Sequence, residues 1–308
     1  MTISTALTGT LLCVAVAAAA AAPPAPAQAP GAGRRLAFER EEAVWIAAID
    51  GSGAQRLTAG VDPQISPDGT AVAYTNDTST AGEVLRAIAV FDLAARSSRV
   101  LSAVPSRNAF GPVWSPDGKR LLFAILIDEA WQVGLIGADG SGFRVVRGAA
   151  GGRSCYGPAW AADGASFFCQ DLETIHRIGL DGQEPWSAEI AKLFPGQDLN
   201  SGARLVVSPD GRSLLADVDM DEDTTIEGWD GPPPALFAVD LTAATARRLT
   251  PKGLLAWDGC WLSPSEIVFI AQHEGEHTPS IYAMALPGGK PRLLVRDARM
   301  PSVSQAAH

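Results

Sequence analysis

Gly111-Pro112-Val113-Trp114-Ser115-Pro116-Asp117-Gly118-Lys119-Arg120-Leu121-Leu122-Phe123 reads as a β-strand, a tight turn and a second β-strand. Ser115, Pro116 and Gly118 hold the first, second and fourth places of a type I turn, where each residue type is preferred. Gly118 is then free to take the left-handed conformation that closes a short hairpin loop. Pro112–Trp114 on one side and Leu121–Phe123 on the other are apolar, β-prone runs. A single hairpin leaves the fold open; its repetition decides it.

The unit recurs along the chain. Pro63-Gln64-Ile65-Ser66-Pro67-Asp68-Gly69 leads into Ala71–Tyr74, and Pro158-Ala159-Trp160-Ala161-Ala162-Asp163-Gly164 leads into Ser166–Phe168. Leu205-Val206-Val207-Ser208-Pro209-Asp210-Gly211 leads into Ser213–Leu215, and a decayed copy, Cys260–Ser265, leads into Ile267–Ile270. The turn aspartates 68, 117, 163 and 210 lie 49, 46 and 47 residues apart. A second element recurs in phase: Val44–Thr58, with Asp50-Gly51-Ser52-Gly53 at its turn, is nearly repeated by Gln132–Val146. Ile88–Leu101, Ile175–Ile190, Leu236–Thr250 and Ile281–Val295 take the same place in their repeats. A period of about 40–50 residues with four strands' worth of chain is the signature of a propeller blade.

The ring must also close. Arg35-Leu36-Ala37-Phe38 matches the second strand of a repeat whose first strand is missing, and Met300–Ser304 matches Pro63–Ser66 without the following turn. The carboxyl-terminal strand is therefore expected to complete the amino-terminal blade, which removes an aggregation-prone sheet edge. The expected fold is all-β, a six-bladed propeller of four-stranded antiparallel blades. Residues 35–58 with 300–305 form one blade, followed by blades near 62–102, 111–147, 157–194, 204–250 and 258–295. Residues 1–29 are assigned to a leader and linker and 30–308 to one propeller domain. The nearest approach to a helix, Trp186–Leu193, is short and overlaps an expected fourth strand.

The Ser-Pro-Asp-Gly hairpin after a Pro-x-Trp strand, with an Asp-Gly-Ser turn before Arg-Leu-Thr, resembles the repeats of the TolB-type β-propeller family over essentially the whole chain after the leader. The resemblance implies a propeller with a periplasmic or secreted binding habit; it implies no named partner. Propellers of this type also occur beside hydrolase domains and as lyases with a metal in the channel. A metal-dependent lyase or hydrolase on this scaffold is thus the alternative to a binding module.

Composition agrees with many short strands: 47% of residues are hydrophobic, only 19% are charged, and Gly and Pro are plentiful. Thr5–Ala22 is an apolar, alanine-rich run followed by Ala25-Pro26-Ala27 and Ala27-Gln28-Ala29, small-x-small cleavage candidates. No Lys or Arg precedes the run, and an uncleaved anchor is the competing reading. Export to the periplasm or beyond is expected, with no stable membrane insertion after cleavage. The net charge of −10 falls entirely after the leader. With no dense Lys/Arg face, nucleic acid is a poor partner. A monomer is expected, binding a protein, peptide or glycan.

Candidate site residues are few. If the ligand enters one mouth of the central channel, the segments leading into each first strand would line it: Asp62, Arg107, Asn108, Arg153, Tyr156 and Asp258. His273-Glu274-Gly275-Glu276-His277 spells a zinc-protease pattern, but that chemistry needs a helix to present both histidines, and Gly275 and Pro279 oppose one. A solvated hairpin loop is the expected reading. Asp217, Asp219 and Asp221 resemble the opening of a calcium loop, yet Glu222 stands where glycine is wanted and Gly228 where glutamate is. Weak calcium binding and a plain acidic excursion both fit, and no other cofactor is expected. The insertion through Trp229–Pro234 is the longest in any blade, and such loops often carry function. The turn aspartates, and Trp114, Trp160 and Trp261, recur once per blade and are expected to be structural, the tryptophans between neighbouring blades.

Cys155 and Cys169 flank the third hairpin. A three-residue loop would pair Ala161 with Ala165 and set Gly157 opposite Cys169. Cys155 is then a diagonal neighbour about 7–8 Å away, near the limit for a bridge, and a disulfide and two free thiols both remain open. Cys260 is expected to be buried and inert. No nucleophile elbow, phosphate loop or C-x-x-C pair occurs.

Overall fold

In this computed structural model the protein is described over residues 33–147, 153–222 and 229–305. The leader expected over 1–29 lies outside the described residues. Twenty-four strands form six four-stranded antiparallel sheets. Blade 1 holds β1 (Arg35–Arg40), β2 (Ala43–Ala48) and β3 (Gln55–Ala59), with β24 (Arg299–Val303) as its innermost strand. Blade 2 runs outward as β4 (Val61–Ile65), β5 (Ala71–Asp77), β6 (Arg86–Asp92) and β7 (Ser97–Val100). Blade 3 follows as β8 (Ala109–Trp114), β9 (Arg120–Ile127), β10 (Ala130–Gly137) and β11 (Arg144–Arg147). Blade 4 is β12 (Tyr156–Trp160), β13 (Ser166–Gln170), β14 (Thr174–Gly179) and β15 (Trp186–Glu189). Blade 5 is β16 (Leu205–Val207), β17 (Ser213–Asp219), β18 (Pro234–Asp240) and β19 (Thr245–Arg248). Blade 6 is β20 (Leu255–Ser263), β21 (Glu266–Gln272), β22 (Ser280–Ala285) and β23 (Arg292–Val295). The stretch Trp186–Leu193 splits into β15 and a single helical turn, α1 (Ile190–Leu193).

The middle of the second strand of each blade is apolar and buried because both of its faces are covered. Successive side chains on a strand point to opposite faces, so they feed opposite neighbours. On β9, Leu121, Phe123 and Ile125 join a cluster with Ala73, Ile88 and Val90 of blade 2, while Leu122 joins Trp160 and Phe167 of blade 4. On β21, Ile267 and Phe269 pack with Leu215 and Leu236 of blade 5, and Val268 and Ile270 with Leu36 and Phe38 of blade 1. Six buried clusters result, one at each blade interface.

The tail closes the ring as the sequence predicts. Leu36 pairs with Val303, Ala37 with Ser302 and Glu39 with Arg299. The Ser304 N–H donates to the Arg35 carbonyl at 3.0 Å, and the Gln305 N–H to the Pro67 carbonyl of blade 2 at 2.9 Å.

The repeated turns close on their own aspartates. Ser66, Ser115 and Ser208 donate to Asp68, Asp117 and Asp210 at 2.6, 2.5 and 2.6 Å. The Ser115 hydroxyl, ahead of the Lys119 amide, holds the Asp117 carboxyl below its usual range. Gly118 adopts φ +68°, as the turn requires. The indole N–H groups of Trp114, Trp160 and Trp261 donate to Gln64, Val113 and Val206 carbonyls in the preceding blade at 2.9, 3.0 and 3.0 Å. Each tryptophan therefore stitches two innermost strands together while filling the wedge between them.

The blade 4 hairpin differs from the predicted register. Its loop is one residue longer: the Ala161 N–H donates to Ser166, and Trp160 pairs with Phe167. A register shift between Tyr156 and Ala159 then sets Tyr156 opposite Gln170. Cys155 and Cys169 have Cα atoms 5.9 Å apart and are disulfide-bonded, inside the range that bridges favour. Cys260 is a buried free thiol whose pKa burial pushes up to about 11.

Candidate functional site

Innermost strands carry one position that does not behave as ordinary β-structure. Asp62, Gly111, Gly157, Asp258 and Met300, near the starts of five of the six, adopt φ of +52, +63, +58, +49 and +51°. Arg204 fills the same place just before β16. Five of these six, Arg204 among them, lie four residues before the turn serine or its replacement; the decayed blade 6 adds one residue. A left-handed residue inside a strand breaks the ladder and turns its N–H out of register. A polar side chain on the second strand of the preceding blade takes up that N–H. Glu39 accepts from Asp62 at 3.4 Å, Thr75 from Gly111 at 3.0 Å, and Asp217 from Asp258 at 3.1 Å. Asp217 also accepts from the Arg204 N–H at 3.2 Å. Glu39, Thr75 and Asp217 occupy one column of the repeat. Ala124 stands in that column in blade 3, and Gln170 in blade 4, where it donates to the Asn200 carbonyl at 3.0 Å.

The innermost strands enclose a channel of about 470 Å³. At one end its wall is made by the repeated turns, with Pro67, Pro116, Ala162, Pro209 and Gln305. At the other it is made by the irregular positions and their neighbours: Asp62, Phe110, Tyr156, Arg204, Asp258 and Met300. The channel wall at the first end holds no charged side chain; the second we call the acidic mouth. Aromatic side chains surround it. Phe110 meets Trp131 edge-on at 5.1 Å, with the Arg86 guanidinium 4.5 Å from the Phe110 ring. Trp257, one residue before Asp258, packs at 5.5 Å from Trp229 of the long insertion.

The carboxyls at this mouth range from half-buried, Asp62 and Asp258, to buried, Glu39 and Asp217. Burial, then the like charge of Asp258, raises the Asp217 pKa to about 7. Burial raises that of Asp258 to about 6, against the opposing pull of Arg204. Burial also raises Asp62 and Glu39. Asp62 accepts from the Thr75 hydroxyl at 2.8 Å. Arg204 reaches across the mouth to donate to the Pro301 carbonyl at 3.1 Å. One Asp217 oxygen, Oδ1, is buried without a hydrogen-bond donor. The Asp258 carboxylate, half-buried at the channel wall, accepts no hydrogen bond from a described side chain or amide.

Of the six residues that the sequence places at a mouth, Asp62, Tyr156 and Asp258 line the channel. The other three lie outside its wall. Arg107 is exposed and pairs with Glu83 at 2.7 Å. Asn108 accepts from Arg86 at 2.9 Å. Arg153 pairs with Glu173 and Asp171 at 2.5 and 3.6 Å. Each is held by these partners outside the channel. Arg204 in the wall, and Glu39, Thr75 and Asp217 holding its backbone from the second strands, escape the sequence reading of the channel; aligning the repeats column by column, four residues before the turn serine for Arg204 and nine after it for Thr75 and Asp217, would have exposed three of them.

The calcium candidates separate. Asp217 serves the two backbone amides, Asp219 accepts from Asn200 at 2.8 Å, and Asp221 is exposed. Residues 223–228 of that stretch lie outside the described residues. His273–His277 forms an exposed turn between β21 and β22, with the His273 N–H donating to Glu276 at 2.9 Å. Among the described residues no three His, Cys, Asp or Glu side chains gather as metal ligands would.

No family model and no curated protein sequence matches the chain. Solved structures do. TolB from Acinetobacter baumannii superposes with a TM-score of 0.68 at 18% identity, over 91% of this chain and 68% of that one. A protein assigned as TolB from Agrobacterium tumefaciens gives 0.59 at 16%, over 85% and 88%. An oligogalacturonate lyase from Vibrio parahaemolyticus gives 0.50 at 17%, over 82% and 74%. The protein has a TolB-like six-bladed β-propeller fold. Among the described residues no helix is long and apolar enough to cross a membrane.

Proposed function

We propose that this protein is an exported binding module that holds a segment of a protein, peptide or glycan at the acidic mouth of its channel. One observation carries the reading. The backbone repeats around the ring, but the side chains at the acidic mouth do not: Asp62 and Asp258 line the channel there, and beside Asp258 the buried Oδ1 of Asp217 meets no donor among the described residues. Buried polar groups normally find partners, so carboxylates facing a cavity with an unmet oxygen beside them are what a ligand would satisfy. The TolB-like fold and the apolar, cleavable-looking leader support a place outside the cytoplasm. A rigid ring suits this task, because a ligand that meets preformed groups loses little to ordering its receptor.

Photocrosslinking tests the proposal. A benzophenone amino acid replaces Tyr156 at the acidic mouth or, as a control, Ser97 on the outermost strand β7, in the full chain expressed in its own cell envelope. Adducts from position 156 and not from 97 are expected. Adducts from 97 alone would place recognition on the rim and overturn the reading.

A further inference from the structure

We propose that the group received at the acidic mouth is a cation: the ammonium or guanidinium end of a lysine or arginine side chain, seated between Asp62 and Asp258 with Asp217 behind them. This rests on the reading above and names its ligand class.

The geometry argues for the charge. Asp62 of blade 2 and Asp258 of blade 6 face the same channel from either side of blade 1. Asp217 stands beside Asp258, with Oδ2 fixed by the Arg204 and Asp258 amides and Oδ1 left with no donor among the described residues. Asp217 is only 8% exposed, so water supplies little of what that oxygen lacks. Four carboxyls gather here, Asp62, Asp258, Asp217 and Glu39, against three guanidiniums that are already engaged: Arg204 donates to the Pro301 carbonyl at 3.1 Å, Arg86 to Asn108 at 2.9 Å, and Arg299 pairs with Glu39 at 3.8 Å. Buried anions without matching cations cost several kcal/mol each unless protonated or paired. An incoming cation with N–H donors meets both needs, charge and hydrogen bonds.

The shape argues for a side chain. A channel of about 470 Å³ falls within the usual range for small-ligand sites and takes an extended aliphatic stem. Phe110 and Tyr156 supply apolar and π surface for that stem and its charged end.

Two peptides of one length separate charge from shape: acetyl-Gly-Lys-Gly-Lys-Gly-amide and its twin with both lysines acetylated. Calorimetric titration of the full chain at pH 8 is expected to show at least about ten-fold tighter binding of the charged peptide, a difference of about 1.4 kcal/mol. Asp258→Asn is expected to remove that preference, and Asp62→Asn to reduce it, while Glu129→Gln on an exposed turn leaves it unchanged. Asparagine tolerates positive φ, so both channel variants are expected to fold; an unchanged melting profile checks this. Lowering the pH from 8 to 5 is expected to weaken the charged peptide alone, as protons neutralise Asp217 and Asp258, with Asp62 and Glu39 shifted in the same direction by burial and the guanidiniums of Arg204, Arg86 and Arg299 facing them. Equal affinity for the two peptides, or an undiminished preference in Asp258→Asn, overturns cation recognition and leaves binding at the mouth standing. No binding of the charged peptide at millimolar concentration overturns it as well.

Discussion

The two ends of the channel are built from the same six strands and behave differently. At the turn end the sequence repeats, serine, proline, aspartate and glycine recurring because every hairpin makes the same demand on its backbone. At the acidic mouth the backbone repeats and the side chains do not: Asp62, Gly111, Gly157, Arg204, Asp258 and Met300 fill one column. A residue that recurs once per blade answers to the fold. A residue that departs from its column, at a position where the backbone is held by a neighbour's side chain, is free to answer to something else.

The most damaging change acts on both ends at once. Deleting 299–308 removes β24 and strips the cover from Leu36 and Phe38, opening the interface between blades 6 and 1. Since a domain's whole stability is about 5–15 kcal/mol, the expected outcome is loss of cooperative unfolding in circular dichroism. A truncated chain that still melts as one unit would show that the ring does not depend on its tail.

Next, the two ends are expected to part company. Trp114→Ala removes a wedge and an indole bond to Gln64 and is expected to cost about 3–5 kcal/mol in urea unfolding. Gly118→Ala, at φ +68° in the turn, costs about 1–2 kcal/mol. Gly111→Asp, at φ +63° where a Cβ meets nothing within 4 Å, should cost no more than that. It adds a carboxylate to the acidic mouth and is expected to tighten the lysine peptide. A Gly111→Asp chain with unchanged peptide affinity would break the contrast between the two ends.

Stability should also depend on pH through the acidic mouth. Asp217 and Asp258 bind their protons more tightly in the folded chain, with pKa values of about 7 and about 6 against an ordinary 3.8. The folded chain therefore takes up protons as pH falls from 8 toward 5 and gains stability. That gain is complete below the unfolded value and is lost as pH rises through 6–7. Asp62 and Glu39, also raised by burial, act in the same direction. The turn aspartates Asp68, Asp117 and Asp163, lowered by their hydrogen bonds, oppose it only near and below pH 4. Asp217→Asn is expected to flatten the rise in melting temperature between pH 8 and pH 5. A wild-type chain that melts lower at pH 6 than at pH 8 contradicts the burial of these carboxyls.

The smallest effect is expected where a motif misleads. His273→Ala and His277→Ala change an exposed turn and should each shift stability by less than about 0.5 kcal/mol.

These contrasts also explain what could be read in advance. The blades, the closing strand and the stitching tryptophans were legible because each repeats a demand of local backbone or of a buried wedge. Asp62, Tyr156 and Asp258 were reachable because they immediately precede, or lie just inside, a recognisable strand. Arg204 was not, because it stands alone in its column and looks like an ordinary strand-flanking arginine. Asp217 was read as part of an acidic run, since sequence shows neighbours along the chain and not the blade 6 amide it serves. The disulfide register slipped because one extra loop residue and a compensating bulge leave no trace in residue types. Arg107, Asn108 and Arg153 lie outside the channel wall for a simpler reason: each finds a polar partner in its own surroundings, Glu83, Arg86, and Glu173 with Asp171.

The most direct test follows backbone amide exchange in the full chain with and without the charged lysine peptide at pH 8. Slower exchange at Asp62, Gly111 and Asp258, whose amides are held by Glu39, Thr75 and Asp217, with Gly69, Gly118 and Gly211 at the turn end unchanged, is the predicted result. Protection confined to the turn end or to the outermost strands would contradict it.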